Sequence, residues 1–318
     1  MQLTRRAAVA AELARAGDGG VSGEALAALL GVSRVAIGKH VAALRGLGYV
    51  IEGRPHVGYR LVSAPDLCLP EEVAPRLTDA LWVACDGGRV TGSTNDDAKR
   101  LARAGAPEGT LVVAAEQTAG RGRFGRTWSS PAAGAYLSAV LRPPVAPRHV
   151  GPLALALSVG IADALAGLGV EARLKWPNDV VTGRGKLAGI LLEMTGEADT
   201  VEWVVVGCGL NVGDPTTPGS DYVRSWAPGV GVGEAAAAVL DGLARAYGIY
   251  VREGFVALAD TYRERCVLTG HRVIVRDSLG SVVADGVVET IDDSGALLVG
   301  SAEGVRAVTA GEVTLREG

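Results

Sequence analysis

Read along the chain, the apolar positions change their spacing twice. Leu3, Ala7, Ala10 and Leu13 recur at helical intervals and predict an amphipathic N-terminal helix. Glu12 and Arg15 interrupt the run behind Arg5-Arg6, which argues against a twin-arginine export signal. From Ser22 to Val62 the chain reads SGEALAALLGVSRVAIGKHVAALRGLGYVIEGRPHVGYRLV. Ala25, Leu26, Leu29 and Leu30 predict one apolar helical face, Gly31-Val32 a tight turn, and Ser33 the N-cap of a second helix with Val35, Ile37, Val41 and Leu44 inward. YVIEG and GYRLV, flanking Arg54-Pro55-His56-Val57, predict a hairpin. Helix, turn, helix and hairpin make a winged helix-turn-helix.

Pro65 and Pro70 in SAPDLCLPEE disfavour regular structure and place a boundary there. Beyond it, LVVAAEQT, AYLSAVLR, GKLAGILLEM and VEWVVVGCGLNV read as strands, whereas NDDAKRLARAG, VGPLALALSVGIADALAGLG and GEAAAAVLDGLARAYGIYVREGF read as helices. From Gly270 onward only short strands remain, separated by Gly, Asp and Ser turns, which fits a small β-barrel of about 45 residues. The expectation is an α/β multidomain chain: a winged helix over 1–64, a mixed α/β body over 65–269 and a barrel over 270–318.

Composition narrows this. A chain of 318 residues with 48% hydrophobic content can bury large cores and holds two or three domains. Cys68, Cys85, Cys208 and Cys266 are far apart and form no CxxC pair, so neither a zinc site nor a disulfide framework is suggested, and a reducing cytoplasm fits. No segment reads as the roughly 20 apolar residues of a membrane span. Residues 1–64 carry a net charge of +4 while the whole chain carries −4, so the head is the part suited to phosphate. Its outward candidates are Ser33, Arg34, Lys39 and His40 on the second helix, with Arg54 and His56 on the wing. Winged helices also dock proteins, and +4 alone does not separate the two uses.

The stretch AGRGRFGRTW, Ala119 to Trp128, puts three arginines and three glycines into ten residues. Glycines allow close backbone approach and arginines offer planar forks to carboxylate or phosphate oxygens, so the loop looks built to enclose an anion. It is neither a Walker A motif nor a dinucleotide fingerprint. Taken alone it equally suits an RNA-binding or a flexible surface loop. Three further segments accompany it: GSTNDDAKR with Ser93, Thr94 and Asn95; LKWPNDVVTGRGKLAGILLE with Lys175, Asn178, Asp179 and Lys186; and VVGCGLNVG with Asn211.

Together with the head and the barrel, these motifs resemble the bifunctional biotin ligases that double as biotin operon repressors, over essentially the whole chain. The resemblance implies a catalytic domain of the class II synthetase and biotinyl/lipoyl ligase type, followed by an SH3-like barrel. It implies ATP and biotin as substrates with Mg2+, formation of biotinyl-5′-AMP, and transfer of biotin to a lysine of biotin carboxyl carrier protein. Operator DNA of biotin genes and a homodimer promoted by the adenylate complete the implied partners, with no membrane among them. Driving a carboxylate onto a triphosphate needs fixed cations; Arg121, Arg123 and Lys186 match the family's. Ser93, Thr94, Asn95, Gln117 and Gly122, with the same three cations, match its biotin positions. Arg123, Arg126, Trp128, Asn178, Lys186 and Asn211 match its nucleotide positions. Blander readings stand beside these: Arg126 as a salt-bridged loop residue, Trp128 as core, Asp179 as the cap of a turn and not a weak metal ligand. The chain departs from the family pattern at Gly92, where an acidic residue is common, and at Gly38 in the recognition helix.

Other functional readings remain: a ligase whose head no longer regulates, a biotin-sensing regulator without turnover, and a lipoate ligase. Motifs of the biotin branch disfavour the last two.

Overall fold

The computed structural model describes residues 1, 3–54, 57–197 and 199–316. His56, a wing candidate, lies outside the described residues. The head consists of α1 (Arg5–Ala16), α2 (Gly23–Leu30), α3 (Arg34–Gly46) and an antiparallel wing of β1 (Val50–Arg54) and β2 (Gly58–Ser63). Each helix starts on a side-chain cap: Thr4, Ser22 and Ser33 accept from the backbone N–H of Ala7, Ala25 and Ala36, and each cap contributes about 1 kcal/mol. Val9, Ala10, Leu13, Leu26, Ile37, Val41, Leu44, Tyr49 and Ile51 form the head's core.

Two expected faces are corrected here. Ala25 and Leu29 are exposed, and Val35 is 72% exposed. Residues two apart on a helix point about 200° apart, so Val35 cannot share the inward face of Ile37, Val41 and Leu44. In α2, eight residues long and bent 103° from α3, only Leu26 reaches full burial.

The linker is also more ordered than its prolines suggest. Pro70 opens a single helical turn, α4 (Pro70–Val73), because its fixed φ suits the first helical position. Leu69 completes the head's core, whereas Cys68 and Val73 lie in the body's. Arg6 of α1 pairs with the buried Glu71, and the Tyr49 hydroxyl donates to Glu72 at 2.5 Å.

The body contains β3 (Ala84–Thr91), α5 (Thr94–Arg103), β4 (Thr110–Gln117), β5 (Gly134–Leu141), α6 (Val150–Gly167), β6 (Arg173–Lys175), β7 (Asp179–Thr182), β8 (Gly185–Gly196), β9 (Val201–Asn211), α7 (Val232–Glu253) and α8 (Val256–Arg265). Its seven strands lie in the order β3-β4-β5-β9-β8-β7-β6, antiparallel except for β3 beside β4. Through Ala98 and Ala102, α5 packs on Val112, Val140 and Val205 of the sheet. The helices α6, α7 and α8 pack on one another within the main core. The 21 residues Pro147–Gly167 are long and apolar enough to cross a membrane by length and composition, contrary to expectation. Most of that run is buried between the sheet and α7, so it is apolar all round because it is core.

The C-terminal part is a five-stranded antiparallel sheet of β10 (Arg272–Arg276), β11 (Val282–Ile291), β12 (Leu297–Ser301), β13 (Gly304–Val308) and β14 (Glu312–Leu315), ordered β13-β12-β11-β10-β14. Val273, Val275, Ile291 and Leu297 merge with the body's core. The Trp176 indole N–H donates to Gly295 O at 3.0 Å, which ties this sheet to the turn carrying Asn178 and Asp179.

Candidate active site

All thirteen body residues picked out as catalytic, biotin, nucleotide or metal candidates line one cavity of about 370 Å³. They arrive from separate segments: Ser93, Thr94 and Asn95 at the start of α5, Gln117 at the end of β4, Arg121 to Trp128 on the arginine-glycine loop, Asn178 and Asp179 at the β6–β7 turn, Lys186 on β8 and Asn211 at the end of β9. The floor is glycine. Gly189 and Gly209 stand opposite each other on β8 and β9, and the Trp128 indole lies against both. A Cβ at Gly209 would sit 2.5 Å from that ring, and one at Gly189 2.9 Å, so larger residues would expel the indole.

One end of the cavity is a network of neutral polar groups. The Thr94 backbone N–H and hydroxyl donate to Gln117 Oε1 at 2.9 and 3.2 Å, and Gln117 Nε2 donates to Ser130 Oγ at 3.0 Å. Ser138 Oγ donates to Asn95 Oδ1 at 2.6 Å and lies 2.8 Å from the Thr94 hydroxyl. Ser93, Thr94 and Asn95 are all buried. Such an end reads an uncharged ligand by hydrogen bonds.

The other end is cationic. Lys186 Nζ pairs with Asp179 at 2.6 Å and stands 4.9 Å from the centre of the Trp128 ring. Arg126 pairs with Glu312 of β14 at 2.5 Å, and Arg121 pairs with Asp96 at 2.6 Å. Arg123 differs: among the described residues it has no carboxylate within ion-pair distance. It donates to Gly311 O at 3.2 Å, approaches Asn178 Oδ1 at 3.5 Å and covers the Phe124 ring at 4.9 Å. Burial pushes its guanidinium pKa down, against a pull upward from nearby Asp179. A half-buried cation lacking a carboxylate favours an anionic ligand. Phe124, beside it, has a φ of 56°, a conformation that L residues other than Asn and Asp seldom take outside functional loops.

The site contains no activated thiol. Cys208 lines the cavity, but burial pushes its pKa up to about 12, so it stays protonated at neutral pH. Asn211 uses its amide N–H groups on Lys186 O and Asp221 O, both at 3.1 Å, which holds the following loop against β8. The carboxylate of Asp179 is engaged by Lys186, and no group of three His, Cys, Asp or Glu side chains arranged for a metal occurs among the described residues. These residues do not form a magnesium cage.

Glu312, Val313 and the segment Thr217 to Ser220 also line the cavity without having been picked out, as does Lys175, named in its motif but given no role. Glu312 lies 186 residues from its partner Arg126, and no local pattern marks it.

In the head, the candidates share α3 and the wing. Arg34 and Lys39 are exposed and His40 is half-buried. Ser33 spends its hydroxyl as the N-cap, Arg34 meets Glu24 only at 3.6 Å, and Arg54 pairs with Glu52 at 2.9 Å.

Residues 5–60 match an HTH domain, 87–211 the biotin/lipoate A/B protein ligase family, and 269–316 the biotin protein ligase C-terminal domain. The bifunctional ligase/repressor BirA of Bacillus subtilis is 32% identical over 99% of this chain and 100% of its own length. The chain belongs to the biotin protein ligase family. Two further relatives match over less of the chain. The biotin–[acetyl-CoA-carboxylase] ligase of Paracoccus denitrificans is 37% identical over 70% of this chain and 97% of its own length. A solved biotin protein ligase from Aquifex aeolicus, in complex with biotin and ATP, shares the fold with a TM-score of 0.64 and 24% identity, covering 74% of this chain and all of that one.

Proposed function

We propose that this protein is an ATP-dependent biotin ligase forming biotinyl-5′-AMP, and that it also represses biotin genes in response to that ligand. The observation that carries the ligase reading is the pairing within one cavity of a neutral hydrogen-bonding end with a cationic end whose half-buried Arg123 lacks a carboxylate. The ureido ring belongs at Ser93, Thr94, Asn95, Gln117 and Gly122, and the valeryl chain runs over the glycine floor. Arg123 and Lys186 receive the biotin carboxylate where it meets the α-phosphate, with Trp128, Arg126, Asn178 and Asn211 around the nucleotide.

A carboxylate oxygen attacks the α-phosphorus, a P–O bond forms, and the bond to the bridging oxygen breaks to release pyrophosphate. The two fixed cations lower the repulsion between the anions. A deprotonated lysine amine of the carrier protein then attacks the activated carbonyl. An amide forms, AMP leaves, and the amine's proton goes to solvent. Any magnesium would be held by the phosphate oxygens of ATP and would offset their charge, because the Asp179 carboxylate is engaged by Lys186. Residues 1–64 act as the DNA-binding part, 65–269 as the ligase, and 270–318 close the cavity through Glu312. The working form is a cytoplasmic protein whose adenylate-bound homodimer places two α3 helices on two operator half-sites.

The test is ATP-dependent transfer of biotin to a carrier domain, with pyrophosphate release measured separately as the readout of the adenylation step. Wild-type protein is expected to transfer biotin, and Lys186→Ala to slow pyrophosphate release about a hundredfold; absence of transfer by the wild type overturns the ligase reading. For repression, gel shift on the native biotin operator with and without adenylate decides, and unchanged DNA affinity removes that half alone.

A further inference from the structure

We infer that Arg121 acts through its neighbours as a positioning residue, not as a ligand-binding cation, and that Asp96, Lys99 and Glu193 share this role. The inference rests on the ligase reading of the cavity. The Arg121 fork grips Asp96 with both Nη atoms at 2.6 Å and reaches Glu193 at 3.4 Å. Glu193 also accepts from Lys99 Nζ at 2.6 Å and from Asn95 Nδ2 at 2.7 Å, and Lys99 meets Asp96 at 2.9 Å. Two carboxylates, two cations and one amide form a closed, electrically neutral unit. Arg121 and Asn95 border the cavity, whereas Asp96, Lys99 and Glu193 do not.

Its value lies in what it joins. Asp96 follows Ser93, Thr94 and Asn95 in the first turn of α5, where a carboxylate also suits the helix N-terminus. Glu193 lies four residues beyond the floor glycine Gly189 on β8. Arg121 sits at the base of the arginine-glycine loop, which closes on itself: Trp128 N–H donates to Gly120 O at 2.9 Å, Gly122 N–H donates to Arg126 O at 2.7 Å, and Arg121 bridges Thr127. Arg123 and Phe124 form the tip of this small hairpin. Fixing the base to two rigid elements fixes the direction of the tip, and therefore where Arg123 enters the cavity. For Arg121 to reach a ligand it would have to leave two short charge-assisted bonds at once.

The test uses the full chain with Arg121→Ala, Asp96→Ala, the double variant, Arg121→Lys, and the exchange Asp96→Arg with Arg121→Asp. Either alanine variant is expected to raise the biotin KM about tenfold while kcat stays within about twofold, because the bound ligand orders the loop and free protein must now be ordered first. The double variant is expected to be no worse than the worse single one, since both break one unit. Arg121→Lys should lie between, and the exchange should recover most of the loss. Arg121→Ala with kcat lowered a hundredfold beside an Asp96→Ala enzyme that behaves as wild type would overturn the inference, as would additive losses. Trypsin cleavage after Arg123 and Arg126 in ligand-free protein is a readout independent of activity. Faster cleavage in Asp96→Ala and Glu193→Gln supports the anchor, and unchanged cleavage in both overturns it even where the wild type shows no biotin transfer.

Discussion

The recognition face of α3 and the wall of the cavity are both cationic, yet they are built in opposite ways. On α3, Arg34 and Lys39 stand in water, Arg34 with its nearest carboxylate at 3.6 Å and Lys39 with none in ion-pair range among the described residues. Around the cavity every arginine or lysine except Lys175 and Arg123 is held by a carboxylate at 2.5 or 2.6 Å. Free charges on one helix act independently, through long-range attraction that salt screens. Pinned charges act as one shaped object, and in the proposed reading the half-buried Arg123, unpaired among the described residues, is the cation that receives the anion. A binding surface for a polyanion can thus be loose, whereas a site that must bring two anions together needs its cations fixed beforehand.

Arg123→Ala should show the largest effect. Calorimetry is expected to find biotinyl-adenylate binding weaker by roughly 2 to 5 kcal/mol with little change in melting temperature, because no ion pair is lost from the folded protein. Unchanged affinity would erase the distinction between Arg123 and its paired neighbours. On the head, Arg34→Ala and Lys39→Ala should each lower the slope of log affinity against log salt by roughly 1 per protomer, and the two effects should add. Coupled effects on the slope would show that α3 is as interlocked as the cavity. The smallest effect belongs to Gly38→Ala. A Cβ there would meet nothing nearer than the Tyr59 hydroxyl at 4.0 Å, so the head should gain about 1 kcal/mol, read as a higher denaturant midpoint. A loss of stability would reveal a constraint on α3 that its exposed face does not display.

The same contrast explains what was legible in the sequence. Capping serines, helical spacing and turn glycines are local, and the head's three helices and wing follow from them. The errors there have two causes: Val35 was grouped with residues about 200° away on the helix, whereas Ala25 and Leu29 do share a face with Leu26, one that the short α2 leaves exposed. In the body, long strands such as β5 and β9 announce themselves, whereas β3, read from ACDGGRVT, does not. Gly87 has a φ of 127° and a Cβ on it would lie 1.9 Å from Val113 O; its glycine is there for closeness to β4, although glycine ordinarily argues against a strand. The strands β6 and β7, of three and four residues, are too short to show a period, and α8 lies wholly beyond the helix read as far as Phe255, with no reading of its own. Cavity residues inside motifs were found, because each motif is contiguous. Glu312 and the Asp96–Glu193 link were missed because topology alone brings them to the loop.

One turn of helix also bears on transplantation. Within Cys68 to Val73, successive side chains serve different cores: Leu69 fills the head, Cys68 and Val73 fill the body, and Glu71 holds Arg6 of α1. A head excised after Ala64 would leave behind the leucine that seals it and the carboxylate that fixes its first helix. A ligase trimmed to begin at Leu67 would present Leu69 to water. The two parts are therefore exchangeable between relatives only when the segment Asp66 to Val73 and its contact residues Arg6 and Tyr49 travel as a matched set, so this seam, which includes Pro70 of the proline-bearing stretch, is where a functional chimera has to be designed.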